Sequence, residues 1–594
     1  MVQSRAILSL VVLLFSLLQN AAAHGEGGHD GANHLAELGE QPEHKVSSYF
    51  RHSDHWDWQL AHTVFMVLAW CIFMPVAIFL SVARSRYHLP AQVVFHFVNL
   101  LGLFVGIVYN RLTPDLYVNN AHHPLGWVVV TLTVVWTILS ALTSFARSRL
   151  YQRDDSEQTR ELTTQSIARF DSQAAYGESC SPRDSRDSGQ GTERNSTSLF
   201  GSRQNSTDSI YQRLDNLQHD ECSEEEKFDN SEAERQRFLD GKSKDRVMVK
   251  HFLNCVSGRG RIVVRGTQIV LEKALLPLGF AALASGFIVS GGLFRDRQIF
   301  SGLAHYIKGG IFFWYGLLTV GRWMGAFAEF GWAWNIRPQR PAVSKWKSMV
   351  PSAEFTESFV IWLYGATNVF LEHLNNWGQA WSASDLEHLS ITVLFFGGGL
   401  LGMLVESKWV RGLANTTTVG QSRGHDNRVH IDASRYSMIE GDQQREELQS
   451  SPIPMNPVPA LTIMVLGMMM SGHHQSSMVS TMMHAQWGGL FSTFAIARGV
   501  TYVTMYLKPP TSCFPSRPPS ELVASFCLTG GGLMFMNSAA DTVWAIESNG
   551  LDAMTIFILT MGMTGMIMAW EMVLFALKGW AVRKERAVAE SLLE

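Results

Sequence analysis

Three apolar segments near the N-terminus each carry a histidine: His62 in LAHTVFMVLAWCIFMPVAIFLSVAR, His96 in FHFVNLLGLFVG and His122 in HHPLGW. Imidazole is costly inside lipid, so an intramembrane histidine is a functional hypothesis by default. Histidines that face one another across a helix bundle are the usual axial ligands of b-type haem.

A second group of ligand-type residues lies in the rear half. Glu372 and His373 close one apolar run, while Asp385, Glu387 and His388 open the next. His473 and His474 end another, His484 follows about two turns into its successor, and Asp541 ends the run after that. If these helix ends share one membrane face, the group suits Zn²⁺, Cu²⁺ or Fe²⁺ by ligand type, or a proton relay. Methionines crowd the same region (Met464, Met468 to Met470, Met482, Met483 and Met561 to Met568). Thioether is a soft copper(I) ligand, although methionine is more often flexible packing. No HExxH-type hydrolase motif occurs, and none of the polar loops carries a nucleotide- or flavin-binding motif.

The elements that must position these groups are membrane spans. Mean hydropathy is only +0.03 because long polar loops dilute many apolar runs of bilayer-spanning length, about 20 residues. The expected fold is an all-α polytopic membrane helix bundle with about 11 transmembrane helices. The segments are 60–83, 91–110, 125–147, 268–292, 299–321, 356–374, 387–405, 458–473, 478–502, 521–541 and 553–577. Arg5, an apolar core from Ile7 to Leu18 and the Ala21-Ala22-Ala23 site predict a cleaved signal peptide over 1–23. The chain then starts outside, with a C-terminus in the cytosol. Arg84, Arg147, Arg322 to Lys347, Lys408 and Lys578 to Arg586 all fall at inner ends, as the positive-inside rule requires. An integral location in the plasma membrane or an endomembrane follows, with lipid as the obligatory partner.

Depth decides which histidines can meet. His62 and His122 both belong near the outer ends of their spans, so this pair can clamp one haem iron. His96 lies six residues past Pro90 and belongs toward the cytosolic side. Segment 268–292 holds no histidine to partner it; His305 has suitable surroundings but sits at the outer end of its span. One haem b is expected at the outer pair, and a second would need His96 with His305.

At these positions the chain resembles the cytochrome b561 family. The matches are His62, Trp70, Pro75 and Arg84 in the first span, His96 with Gly102 and Gly106 in the second, and His122-x-x-Leu125-Gly126 in the third. The resemblance implies paired histidines holding haem and electron transfer across the membrane. The whole chain also resembles a fungal family of multispanning proteins, the Ytp-like family. Its landmarks here are HYIKGGIFFWYGLLTVGRW, NVFLEHLNNWG, DLEHLSI and MMMSGHHQSSMVSTMMHAQWGGL. That family brings no settled biochemical activity.

The domain plan is therefore 1–23 signal peptide, 24–59 His-rich external segment, 60–147 b561-like spans, 148–267 cytosolic loop, 268–321 two further b561-like spans, and 322–594 the Ytp-like C-terminal membrane domain. Residues 149–245 are rich in Ser, Asp, Glu, Arg and Gln and poor in aliphatics. Such a segment buries too little apolar surface to offset its ordering entropy and is expected to be disordered. Three functions remain open. The first is a transmembrane electron carrier that reduces an external metal ion or small oxidant, fed by an ascorbate-like donor or another protein. The second is a metal-ion or proton-coupled transporter built on the rear cluster. The third is a scaffold that recruits cytosolic proteins to 148–267. No nucleic acid partner is expected.

Overall fold

The computed structural model describes residues 48–52, 54–145, 259–295, 298–373, 383–413, 455–472, 475 and 477–591. The signal peptide, most of the His-rich segment and nearly all of the loop 148–267 lie outside the described residues. So do His473 and His474 and the side chains of Glu372 and His373.

Among the described residues there is no strand. The principal helices are α1 (Trp56–Val82), α2 (His88–Leu112), α3 (His122–Phe145), α4 (Arg259–Gly291), α5 (Gln298–Met324), α6 (Ala353–His373), α7 (Ala383–Glu406), α8 (Val458–Ser471), α9 (Met478–Leu507), α10 (Pro519–Asn537), α11 (Ala540–Ser548) and α12 (Ala553–Ser591). Two units emerge, residues 1–137 with 271–594, and residues 138–270. Within the second unit Gln268 donates to Ser140 and accepts from Thr143.

Polarity is inverted relative to a water-soluble bundle. On α2 the exposed stripe is Val93, Phe97, Leu100, Phe104 and Ile107, while the buried stripe includes Gln92 and Asn99. Residues three and four apart share one helix face, so this is a continuous apolar stripe turned outward. In water such a surface would be a liability; in a bilayer it is the lipid contact. The protein is an integral membrane protein of the polytopic helical class.

Every expected span coincides with a helix, while length and composition alone do not bear out all eleven as crossings. Six helices are long and apolar enough to cross by length and composition: α1 to α4, α7 and α12. A seventh crossing results if α10 and α11, bent by 78°, form one broken span. Of the others, α8 is apolar but has only 14 residues, and α5, α6 and α9 are more polar along their length, with Arg322, Glu354 and Arg498 buried on them. The expected span 521–541 also ends early, at Asn537. There Ser538 turns its hydroxyl back onto the carbonyl of Phe535 at 2.9 Å.

Helix contacts in the rear half are close because glycines face one another. A Cβ on Gly309 of α5 would stand 2.6 Å from the carbonyl oxygen of Gly532 on α10. One on Gly467 of α8 would stand 2.5 Å from that of Gly488 on α9. Such small-residue contacts let backbones approach, which is how helices gain packing energy where lipid supplies no hydrophobic drive.

Candidate functional site

The front site is an imidazole pair. His62 sits on α1, and its ring rests on α2 where that helix has no side chain: a Cβ on Gly106 would lie 2.6 Å from Nδ1. The Nδ1–H donates to the Gly102 carbonyl at 2.8 Å. His122 opens α3 and rests on α4 beside Gly286, where a Cβ would lie 3.0 Å from Cε1. Its Nδ1 is 3.0 Å from Ser285 Oγ. The Ser285 hydroxyl also lies 2.8 Å from the Ala282 carbonyl of its own helix, which holds it in place beside the His122 ring.

His62 therefore carries hydrogen on Nδ1 and a lone pair on Nε2, and His122 is held through Nδ1 in the same way. Metal-ligating imidazoles are oriented in this way, with the outer nitrogen donating to a carbonyl or hydroxyl. A porphyrin supplies four of iron's ligands itself, so two imidazoles complete the set and no three-residue cluster is needed. By ligand type, two imidazoles supported in this way suit a b-type haem.

The support around His62 is ordered. Leu68–Phe73 of α1 is a π-helical turn, a feature that recurs at functional sites. It presents Trp70, whose Nε1–H donates to Asn99 Oδ1 at 3.1 Å and whose ring fills the space a Cβ on Gly279 would need.

His96 and His305 are not brought together as a second pair. His96 Nε2 is 2.8 Å from Thr137 Oγ1 and its ring meets the edge of Phe95. His305 donates from Nδ1 to the Ser301 carbonyl at 2.9 Å, packs on Phe535, and lines a cavity in the rear half.

That cavity, of about 800 Å³, is the rear site. It gathers His305 from α5, Glu387 and His388 from α7, and His484 from α9. His484 is buried and donates from Nδ1 to the Ser480 carbonyl at 2.8 Å. Of the other residues expected here, Glu372, His373, His473 and His474 lie outside the described side chains. Asp541 is used elsewhere: it accepts from the Phe294 N–H at 2.8 Å, and does not line the cavity, because the chain breaks before it and turns into α11. Among the described residues no three His, Cys, Asp or Glu side chains are grouped closely enough to hold a metal ion.

Sequence reasoning missed a buried charge cluster at one end of this cavity. Arg322 on α5 reads as a topological flank in the sequence, yet it is 2 % exposed, beside Arg498 at 1 % and Glu521 at 0 %. Arg322 Nη1 is 2.7 Å from Glu357 Oε1, and Nη2 is 3.7 Å from Glu354 Oε1. Arg498 Nη1 reaches Glu357 Oε2 at 3.3 Å. Its Nε lies 2.7 Å from Glu521 Oε1, a charge contact too bent to count as a hydrogen bond. Glu357 and Tyr315 both line the cavity. Trp334 closes the cluster from below, its ring 4.3 Å from the Arg322 guanidinium. The loops that carry it are tied together by Asn335, whose Nδ2 donates to the carbonyls of Ala328, Ile336 and Cys513.

Residues 278–579 match the family described as "Protein YTP1-like, C-terminal". The chain belongs to the Ytp1-like family. Its residues 43–146 match a domain of unknown function, DUF2427. An uncharacterized membrane protein of Schizosaccharomyces pombe is 33% identical over 92% of this chain and 99% of its own length. An uncharacterized membrane protein of Saccharomyces cerevisiae is 30% identical over 88% of this chain and 83% of its own. Protein YTP1 of the same yeast is 22% identical over 42% and 40%. No solved structure matches. The family membership agrees with the whole-chain resemblance, while none of these matches adds to the cytochrome b561 resemblance of the front half.

Proposed function

We propose that this Ytp1-like protein is a transmembrane electron carrier in which His62 and His122 hold one b-type haem. The observation that carries the reading is the shared mode of support. Each Nδ1 is engaged from a neighbouring helix, by Gly102 O and by Ser285 Oγ, so Nε2 is the nitrogen through which each ring would bind iron. The haem would supply one-electron chemistry. The chain's own residues would fix the ligand rings, set their basicity through the Nδ1 bonds, and keep them dry between helices. An ascorbate-like reductant or a partner protein supplies electrons, and an external metal ion or small oxidant takes them. The His-rich segment 24–59 would gather such an ion.

The test is a reduced-minus-oxidised absorption spectrum of the full-length protein, purified after expression with added haem. Bis-histidine b-type bands are expected; a featureless spectrum overturns the reading.

The rear cavity supports a second reading, a proton-coupled transporter. Three histidines and the buried Glu357 cluster meet one cavity there, which suits proton relay. A compact metal site has less support, since the described side chains form no three-ligand group.

A further inference from the structure

The rear cavity follows α5 from Ser301 to Leu318, a run of about 25 Å at 1.5 Å per residue. It is a shaft along most of a helix. One end holds the histidines with Glu387 and Glu547, and the other ends on Glu357 and Tyr315.

Two properties define its occupant. The first is charge. Glu357 faces Arg322 and Tyr315 of α5, Glu354 of its own helix, Glu406 of α7, and Arg498 and Tyr502 of α9, with Glu521 of α10 beyond Arg498. Glu406 has Arg411 near it. The remainder is three carboxylates, Glu354, Glu357 and Glu521, against two guanidinium groups. A buried set with one negative charge in excess is costly unless a positive charge joins it. Lys308 is the lysine of the lining, set against Glu387 and Glu547, so the shaft as a whole is acidic too.

The second property is the wall. Trp314, Tyr364, Phe395, Trp487, Phe535 and Trp544 line it, and aromatic faces attract desolvated cations. At about 800 Å³ the cavity is of the size that takes drug-sized molecules, far larger than a bare ion needs.

We infer that the shaft binds a small organic cation with aromatic or amphiphilic character, and that the cation and a proton are alternative occupants of the Glu357 end. Charge balances: one cation enters and one proton leaves. Because the two compete for the same excess charge, loading one expels the other, which is the requirement for exchange. The inference rests on the second reading above and is independent of haem.

Tetraphenylphosphonium tests it on the full-length protein in detergent, with equilibrium dialysis for binding and a pH dye in weak buffer for protons. Saturable binding is expected, weakening toward tenfold per unit as pH is lowered, with up to one proton released per cation. The neutral triphenylphosphine oxide should not compete. Glu357→Gln should weaken binding at least tenfold and remove the proton release. Ile391→Trp, which fills the shaft away from the charge cluster, should abolish binding on its own. No saturable binding to the wild-type protein overturns the inference, as does binding that survives both substitutions. If Glu357→Gln does not fold, the wild-type proton count decides, and binding with no proton release overturns exchange. Binding with proton release but no uptake into proteoliposomes upholds the site and removes only the transport reading.

Discussion

The Nδ1–H of His62 donates to the carbonyl of Gly102 at 2.8 Å. A carbonyl can only accept, so this contact fixes the imidazole tautomer and aims the Nε2 lone pair away from α2. His122 is held through the same ring nitrogen, 3.0 Å from Ser285 Oγ.

Removing either ring should remove the haem. His62→Ala and His122→Ala are each expected to abolish the b-type bands, and His96→Ala to leave them. Loss of signal in His96→Ala alone would move the cofactor to a different pair.

Ser285→Ala removes the hydroxyl that orients His122 without touching a ligand. Supporting hydrogen bonds of this kind are worth about 10–100-fold in ligand-site affinity. Haem occupancy or reduction potential should change in that variant, and Ser285→Thr should recover it. A potentiometric titration followed by absorption reads both.

Gly106→Ala drives a Cβ to 2.6 Å from the His62 ring, closer than atoms pack. Overpacking of a tight site costs about 1–3 kcal/mol. Thermal unfolding of the purified protein should shift down, with haem loss alongside. Gly286→Ala, where the approach is 3.0 Å, should be milder.

The charge cluster predicts an asymmetry. Carboxylates outnumber guanidinium groups, so neutralising a guanidinium deepens the imbalance while neutralising a carboxylate relieves it. Arg322→Gln strips Glu357 of its 2.7 Å partner, and breaking a buried pair from one side costs about 3–5 kcal/mol. Glu354→Gln should cost far less. Comparing the two melting curves in one detergent checks the order, and equal losses would show that charge imbalance is not what the cluster feels.

Topology supplies a further prediction. A protease site inserted near Ser188 should be cut only from the cytosolic face of sealed vesicles, and one inserted near His44 only from the other. The Lys and Arg bias of the loops sets this expectation.

The helical layout was legible because spans are long apolar runs, and the front histidines stood out because imidazole is rare in such runs. Glu387, His388 and His484 were legible as helix-end neighbours and do line one cavity. Other features depend on rotation about helix axes, which no apolar run encodes. His305 had suitable surroundings for a ligand but sat at the outer end of its span, away from His96, and it lines the rear cavity. Arg322 looked like a cytosolic flank, since a charge near a helix end reads as solvated. Its burial depends on Glu357, 35 residues away, and on a tryptophan from the intervening loop. Asp541 was misplaced because nothing in its apolar surroundings marks the 78° bend before it.

Asn335 makes the loop floor hang on one side chain. Its single amide nitrogen is shared among three carbonyls, one of them from the loop that carries Cys513. A carboxylate at that position would set a fourth oxygen against the other three. The floor beneath Trp334 therefore tolerates no exchange of amide for acid, even though the two have the same shape.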